Sequence, residues 1–401
     1  MKLRYTYRFY PTKEQEKHLA RTFGACRFVF NWALRLRETA RYSDTGPIGY
    51  AGSDKELTLL KKQSETEWLN EISSVPLQQA LRQLQTAYQN CYSGRADHPN
   101  FRKKRGHQSA EYTKSAMKFS RKRGNRTLIL AKLGKLHIRW TRSFKSDPTT
   151  VTIIKTPNGR YFASLCLDET PKPIAKTKEA VGIDLGINRL ATLSNGERIA
   201  NPQFFRRKEK RLAKAQRILS RRIGSKKGQR RSGRWFRQSL KVNRINASIA
   251  DARKDHLNKV TTGLIRRFDM IYLEDLNIRG MMSNRCLAKS IGDASFSMFK
   301  TMLQAKAIMH GKTVNLVSRW FPSSKTCNQC KHIVVSLPLD LREWTCPQCG
   351  IVHDRDENAA INILAEGRSV SARGGARRPG WATVQPGRPR RNVNNPSVKN
   401  A

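Results

Sequence analysis

Val181-Gly182-Ile183-Asp184-Leu185-Gly186 is an apolar run that delivers one acid among small residues. The run predicts a strand over Ala180 to Leu185. Leu190 to Ser194 reads as a second strand, with a turn at Asn195-Gly196 after it. Glycine inside a strand marks a close approach to the backbone, and beside Asp184 a ligand is the expected visitor. Working downstream, helical periodicity fills roughly residues 203 to 224 and 233 to 266. Met270 to Leu273 is a short buried strand ending on Glu274, with Asp275 next to it. A helix near Ser295 to His310, a strand over Thr313 to Ser318, a cysteine segment and a last helix from Asn358 to Glu366 complete the series. Strands alternating with helices predict an α/β layered structure.

Upstream the pattern differs. Leu3, Tyr5, Tyr7 and Phe9 alternate with polar residues, the period of a half-buried strand. Thr12 followed three residues later by Gln15 resembles a capping box, and apolar residues at helical spacing continue to about Arg41. Pro76 suits a first helical turn, and Leu77, Leu81, Leu84, Tyr88 and Cys91 mark one buried face, so residues 11 to 95 form an α-helical unit. Short strands follow at Thr127 to Leu130, Leu136 to Trp140, Val151 to Lys155 and Tyr161 to Leu167, the last two joined by a Pro157-Asn158-Gly159 turn. With the first strand they are expected to close a small β-barrel around the helical insertion.

The chain has 401 residues, enough for two to four domains. Lys plus Arg number 78 against 30 Asp plus Glu, a formal charge of +48. Such a surplus repels itself and calls for a polyanionic partner, nucleic acid first. No apolar run approaches the ~18 residues of a membrane span. Met1 to Thr12 has no secretory core, so the expected location is the cytoplasm. Arg206 to Arg237 holds fifteen basic residues against Glu209 alone, a polyanion track that includes Arg206, Arg207, Lys226, Lys227, Arg230 and Arg231. Phe101-Arg102-Lys103-Lys104-Arg105 is a second track. Residues 368 to 401 carry eight basic residues, no acids, four glycines and four prolines, and are expected to be a basic disordered tail.

Four of the eight cysteines, Cys26, Cys91, Cys166 and Cys286, stand alone and read as small buried apolar residues. The others form two C-x-x-C pairs, Cys327 with Cys330 and Cys346 with Cys349, fifteen residues apart. That spacing fits a zinc ribbon whose four sulfurs leave no open position, so the zinc is structural; an iron–sulfur cluster is the alternative. Asp184, Glu274 and an acid of His353-Asp354-Arg355-Asp356-Glu357-Asn358-Ala359-Ala360 come from separate segments. Taken singly, each could be a cap or turn residue. Converging on a cleft, they could hold two divalent ions and support phosphodiester hydrolysis.

These motifs, in this order, resemble the TnpB proteins of bacterial insertion sequences. The resemblance rests on Gly182 to Asn188, Leu273-Glu274-Asp275-Leu276, Pro322-Ser323-Ser324-Lys325-Thr326-Cys327 with its cysteine partners, and Asp354 to Ile363. Tyr7 to Thr12, Gly24 to Trp32 and Pro99 to Lys104 extend it, so that it spans about residues 3 to 367. It implies an RNA-guided DNA endonuclease of a transposable element, related to compact type V CRISPR effectors, that cleaves next to a short flanking motif. The implied fold is a RuvC-like (RNase H fold) nuclease domain over 171–321 and 352–367 with a zinc ribbon inserted over 322–351. A wedge-like β-barrel over 1–10 and 107–170 and a helical recognition domain over 11–106 precede it. Asp184, Glu274 and Asp356 become the catalytic, magnesium-binding acids, with Asp354 the competitor for the third place. Guide RNA and target DNA are the implied partners, with monomer and homodimer both open, and the implied location is the bacterial cytoplasm, in association with the nucleoid. The competing readings are an RNA-guided repressor that does not cut, a strand-transferring or accessory transposase, and a zinc-bearing ribosome-associated protein.

Overall fold

The computed structural model describes residues 1–41, 46–104, 108–122, 125–224, 230–338 and 340–372. The chain folds as two compact units that part between Thr170 and Pro171.

The first unit contains β1 (Lys2–Phe9), α1 (Lys13–Ala40), α2 (Tyr50–Leu60), α3 (Ser74–Tyr92), β2 (Gln108–Thr113), β3 (Met117–Lys122), β4 (Asn125–Leu130), β5 (Gly134–Lys135), β6 (Thr150–Lys155) and β7 (Tyr161–Asp168). Leu3, Tyr7 and Phe9 are buried, as their alternation predicts. The capping box closes at both ends: the Gln15 amide donates to Thr12 Oγ1 at 3.2 Å, and the Thr12 amide donates to Gln15 Oε1 at 3.1 Å. Leu77, Leu81, Leu84 and Tyr88 of α3 are buried, but Cys91, in the last turn, is only partly so; of the other lone cysteines, Cys26 and Cys166 are buried as expected and Cys286 is exposed. The strands form two antiparallel sheets, β1-β7-β6-β2 and β3-β4-β5, and one apolar core serves both sheets and the helices.

Leu136 to Trp140 does not form the expected strand. It changes partners within four residues: the Leu136 amide donates to Leu128 O, whereas Ile138 bridges Phe9 and the Arg139 amide donates to Arg8 O. The segment therefore stitches the two sheets together. Among the described residues they do not close as one continuous ladder.

The second unit contains β8 (Ala180–Asp184), β9 (Arg189–Leu193), β10 (Arg198–Ala200), α4 (Phe204–Ser220), α5 (Gly233–Arg267), β11 (Met270–Glu274), α6 (Ile278–Ser283), α7 (Arg285–Ala294), α8 (Phe296–His310), β12 (Thr313–Val317), β13 (Glu343–Thr345), β14 (Val352–Asp354) and α9 (Arg355–Ala372). Its main sheet has the order β10-β9-β8-β11-β12. β8, β9 and β10 are antiparallel neighbours, whereas β8, β11 and β12 run parallel. The long basic helices α4 and α5 lie on the connection between β9–β10 and β11, and α6 and α7 have no counterpart in the sequence pattern.

α9 lies directly on this sheet, and two glycines allow it. A Cβ on Gly182 of β8 would sit 2.2 Å from Ala360 O and 2.6 Å from Leu364 N. One on Gly367 would sit 2.1 Å from the Tyr272 ring of β11. The close visitor at Gly182 is thus α9, not the expected ligand. α9 also outruns its prediction. It begins at Arg355 and reaches Ala372, where Asn315 Nδ2 donates to Ser371 Oγ at 3.1 Å, so residues 368–372 are helical and not tail. The rest of the expected tail lies outside the described residues. No described helix is long and apolar enough to cross a membrane.

Candidate active site and metal centre

The parallel pairing of β8 with β11 sets Ile183 opposite Leu273. The next residue on each strand is an acid, so Asp184 and Glu274 finish neighbouring strands about 4.8 Å apart. Asp356 arrives from α9. Burial, first, and then the negative charges of Asp356 and Glu274 push the Asp184 carboxyl up to about 7. The Arg355 cation and a hydrogen bond involving the Leu185 backbone oppose this rise without cancelling it. Asp184 as a whole residue is only half-buried, so the rise reflects dense protein around the carboxyl itself. Burial and the charge of Asp275 also raise Glu274. Asp184 therefore lies within electrostatic reach of both Asp356 and Glu274, although among the described residues the three carboxyls do not close to within 4.8 Å of one another as the four sulfurs do.

The competing acids are committed elsewhere. Asp354 Oδ1 accepts from the amides of Asp356 and Glu357, both at 3.0 Å, which makes it the N-cap of α9, and its Oδ2 accepts from Arg198 at 2.9 Å. Asp275 is clamped by Lys300 at 2.7 Å and Arg319 at 2.8 Å. Burial works against its ionisation, but these two hydrogen bonds outweigh it and hold Asp275 below the usual carboxylate range. Asp356 remains in the cluster, with Arg342 3.2 Å away and its side chain 19% exposed.

Two buried asparagines fix where Asp356 stands. Asn358 Oδ1 accepts from the Asn328 amide at 2.9 Å, and its Nδ2 donates to Thr326 O at 2.8 Å. Asn362 Nδ2 donates to Ser323 O at 3.0 Å and Thr326 O at 2.6 Å. The first turns of α9 are thereby tied to the first cysteine knuckle.

The cysteine segment brings Cys327, Cys330, Cys346 and Cys349 together, with all four sulfurs within 4.8 Å of one another. Cys327 Sγ lies 3.6 Å from Cys349 Sγ, and Cys330 Sγ lies 3.6 Å from Cys346 Sγ. Sulfurs at ~2.3 Å from a tetrahedral zinc stand about 3.8 Å apart, so the four fit that ion. Each knuckle turns through a left-handed residue just after its second cysteine, Lys331 (φ 64°) and Gly350 (φ 72°). Burial raises the Cys346 thiol, but the backbone of Cys349 and Gln348 and the neighbouring thiols outweigh it and bring it to about 6. Buried His353 places Nε2 3.1 Å from Cys327 Sγ, a contact of the kind that orients a metal ligand.

The basic residues divide by setting. Lys103, Lys104, Arg206, Arg207 and Arg230 are exposed. Arg102 is not a free cation: its guanidinium lies 3.7 Å from the Phe30 ring centroid and donates to Gln83 Oε1 at 2.9 Å. Burial lowers its pKa. Arg231 lies 3.8 Å over Trp235. Arg105, Lys226 and Lys227 lie outside the described residues. A groove between α4 and α5 is lined by Lys208, Arg211 and Lys214 of the basic track and by Lys241 and Arg244, which lie beyond the track's end at Arg237.

Three family models match the chain: OrfB_IS605, described as "Probable transposase", over residues 164–285; "Cas12f1-like, TNB domain" over 296–363; and "Helix-turn-helix domain" over 1–46. A Streptomyces pristinaespiralis protein, provisionally named an RNA-guided DNA endonuclease, is 44% identical over 97% of this chain and 95% of its own length. The chain belongs to the TnpB family. A second relative of this TnpB-family chain, InsQ of Escherichia coli K12, is also provisionally named an RNA-guided DNA endonuclease. It is 32% identical over 96% of this chain and 95% of its own. Among solved structures, the protein of a Cas12f1–sgRNA–target DNA complex matches with a TM-score of 0.58 at 10% identity, covering 91% of this chain and 98% of that one. That last likeness is one of fold alone.

Proposed function

We propose that this TnpB-family chain is an RNA-guided DNA endonuclease whose RuvC-like domain hydrolyses phosphodiester bonds with Asp184, Glu274 and Asp356. The observation that carries the reading is Asp184 at a strand end beside Glu274 and facing Asp356, where burial first and then those two charges lift it to about 7. Acids held against one another in a folded site are costly unless a cation joins them. Three carboxylates with no thiolate or imidazole among them suit a hard, oxygen-seeking ion such as Mg2+. Such ions, when bound, activate water and neutralise the charge that develops on the leaving oxygen.

The chain's own part is placement. β8 and β11 hold two acids rigidly at adjacent strand ends, and Asn358 and Asn362 lock the third through α9. Asp354 remains a cap, which supports Asp356 as the third acid. Arg342 and Arg355 bring positive charge to the rim, where a phosphate would meet it. The names of the two relatives support RNA guidance, and sequence choice then rests on RNA–DNA pairing. Lys103, Lys104 and the α4–α5 groove would hold nucleic acid by its backbone. In this reading residues 322–351 form the zinc ribbon, 1–10 with 107–170 the wedge, and 11–106 the recognition helices. Cys327, Cys330, Cys346 and Cys349 would hold zinc through four sulfurs, which would leave no position for chemistry there.

The test is to purify the chain from its host with the RNA it carries and offer DNA matching that RNA in Mg2+. Cutting is expected, and Asp184→Ala should abolish it while RNA-directed binding persists. Full cleavage by that variant would refute the acid assignment. Scoring the same reaction for joined ends separates cutting from strand transfer.

A further inference from the structure

Six tryptophans are described, and one stands out. Trp320 is 86% exposed, whereas Trp344 is 5% exposed and Trp68, at 40%, packs edge-on against Phe28. Among the described residues, no other ring or cation packs on Trp320. An indole left this open in water forgoes a large burial gain.

The backbone beneath Trp320 is held from several sides. It sits in a turn closed by the Phe321 amide donating to Ser318 O at 3.1 Å, and its own amide donates to Ser318 Oγ at 3.3 Å. Arg319 before it donates to Asp275 Oδ2 at 2.8 Å, and Lys300 donates to Asp275 Oδ1 at 2.7 Å. Phe321 after it packs inward against Tyr272, Val317 and Ile363. The turn is thus clamped on both flanks while one ring projects into solvent.

The position of that turn gives the ring a purpose. Val317 pairs with Glu274 in parallel register, and Trp320 follows three residues later. Neighbouring strands stand ~4.8 Å apart and three residues reach at most ~10.5 Å, so the Trp320 backbone lies within ~15 Å of Glu274, beyond the same strand ends that carry the acids. We infer that Trp320 is a stacking platform for an unpaired nucleobase beside the scissile phosphate. A duplex already stacks both faces of each base and offers the indole nothing, whereas every unpaired base presents a π-face, whatever the sequence. Trp320 is a positioning residue: it carries no proton and holds no metal, but it fixes one nucleotide so that the next phosphate meets the acids.

This inference rests on the nuclease reading above, and the experiment keeps the two apart. Cleavage by the RNA-loaded full chain is measured on a matched duplex and on the same duplex pre-opened around the cut site, for wild type, Trp320→Phe and Trp320→Leu. A stacked base is worth about five- to 150-fold by truncation, so kcat/KM on the pre-opened DNA should fall by that factor in Trp320→Leu and recover largely in Trp320→Phe. RNA-directed target binding should be unchanged in both. With 2-aminopurine placed at successive positions around the cut, quenching at one position should disappear in Trp320→Leu and remain in Trp320→Phe. Equal kcat/KM and equal quenching in Trp320→Leu and wild type would overturn the stacking role while leaving the nuclease reading intact. Failure of wild type to cut either DNA would overturn both.

Discussion

Asp184 makes the metal-free protein sensitive to pH in a direction opposite to that of most carboxylates. Its pKa rises from 3.8 to about 7 on folding, so over that interval the folded state holds a proton that the unfolded state has released. The stabilising excess is complete below 3.8, shrinks as pH rises, and is lost above about 7. A shift of about three units corresponds to on the order of 4 kcal/mol. Removing the ionisable group by Asp184→Asn should therefore stabilise the metal-free protein at pH 8 by up to that amount and flatten its pH profile between 4 and 7. For a unit of this size the gain corresponds to roughly 10 °C in Tm. The assay is thermal unfolding at pH 5 and pH 8 in buffers passed over chelating resin, with zinc retained and no free chelator added. Mg2+ should raise the Tm of wild type at pH 8 and leave Asp184→Asn nearly unmoved, because the variant has lost a ligand and most of the repulsion. A variant no more stable than wild type at pH 8, with an unchanged pH slope, would show that burial and the neighbouring acids do not hold the Asp184 carboxyl protonated in the folded state.

Three further outcomes follow from the packing. Gly182→Ala drives a methyl into Ala360 O and Leu364 N and should cost ~1–3 kcal/mol or more in unfolding free energy, with cleavage falling further than stability because α9 carries Asp356. Elemental analysis should find one zinc per chain in wild type and none in Cys327→Ser, which should also lose protease resistance across residues 322–351. Arg102→Ala should lower the Tm without changing the salt slope of nucleic-acid binding. Lys103→Ala with Lys104→Ala should leave the Tm alone and reduce that slope by roughly 0.7–0.9 for each phosphate no longer neutralised, measured by titration against NaCl.

The sequence disclosed most where a local pattern and its physical cause coincide. The Thr12–Gln15 capping box, the buried face of α3 and the four-cysteine spacing are short-range signals, and each forms as the pattern predicts. Asp184 and Glu274 are legible because each ends an apolar strand, although only the parallel register shows that the two strands are neighbours. The choice between Asp354 and Asp356 is not legible without the family likeness. Both stand at the start of one helix, and the cap is revealed only by which amides point at which oxygen. Gly182 announces a close approach but not what approaches, since a helix arriving from the far end of the unit leaves no local trace. Arg102 looks like its basic neighbours until α1 supplies Phe30 and α3 supplies Gln83. Leu136 to Trp140 has a strand's composition but serves two sheets, which no periodicity encodes.

The convergence of three acids on divalent ions is most directly tested by soaking Mn2+ into crystals of the RNA- and DNA-bound Asp184→Asn protein and of wild type with an uncleavable target, and recording anomalous scattering. In wild type, peaks are expected about 2.1 Å from carboxylate oxygens of Asp184, Glu274 and Asp356, with Asp354 still capping α9. In the variant, at least one of those peaks should weaken or vanish. Peaks bound by Asp354 in place of Asp356, or ions lying away from the ends of β8 and β11, would contradict the account.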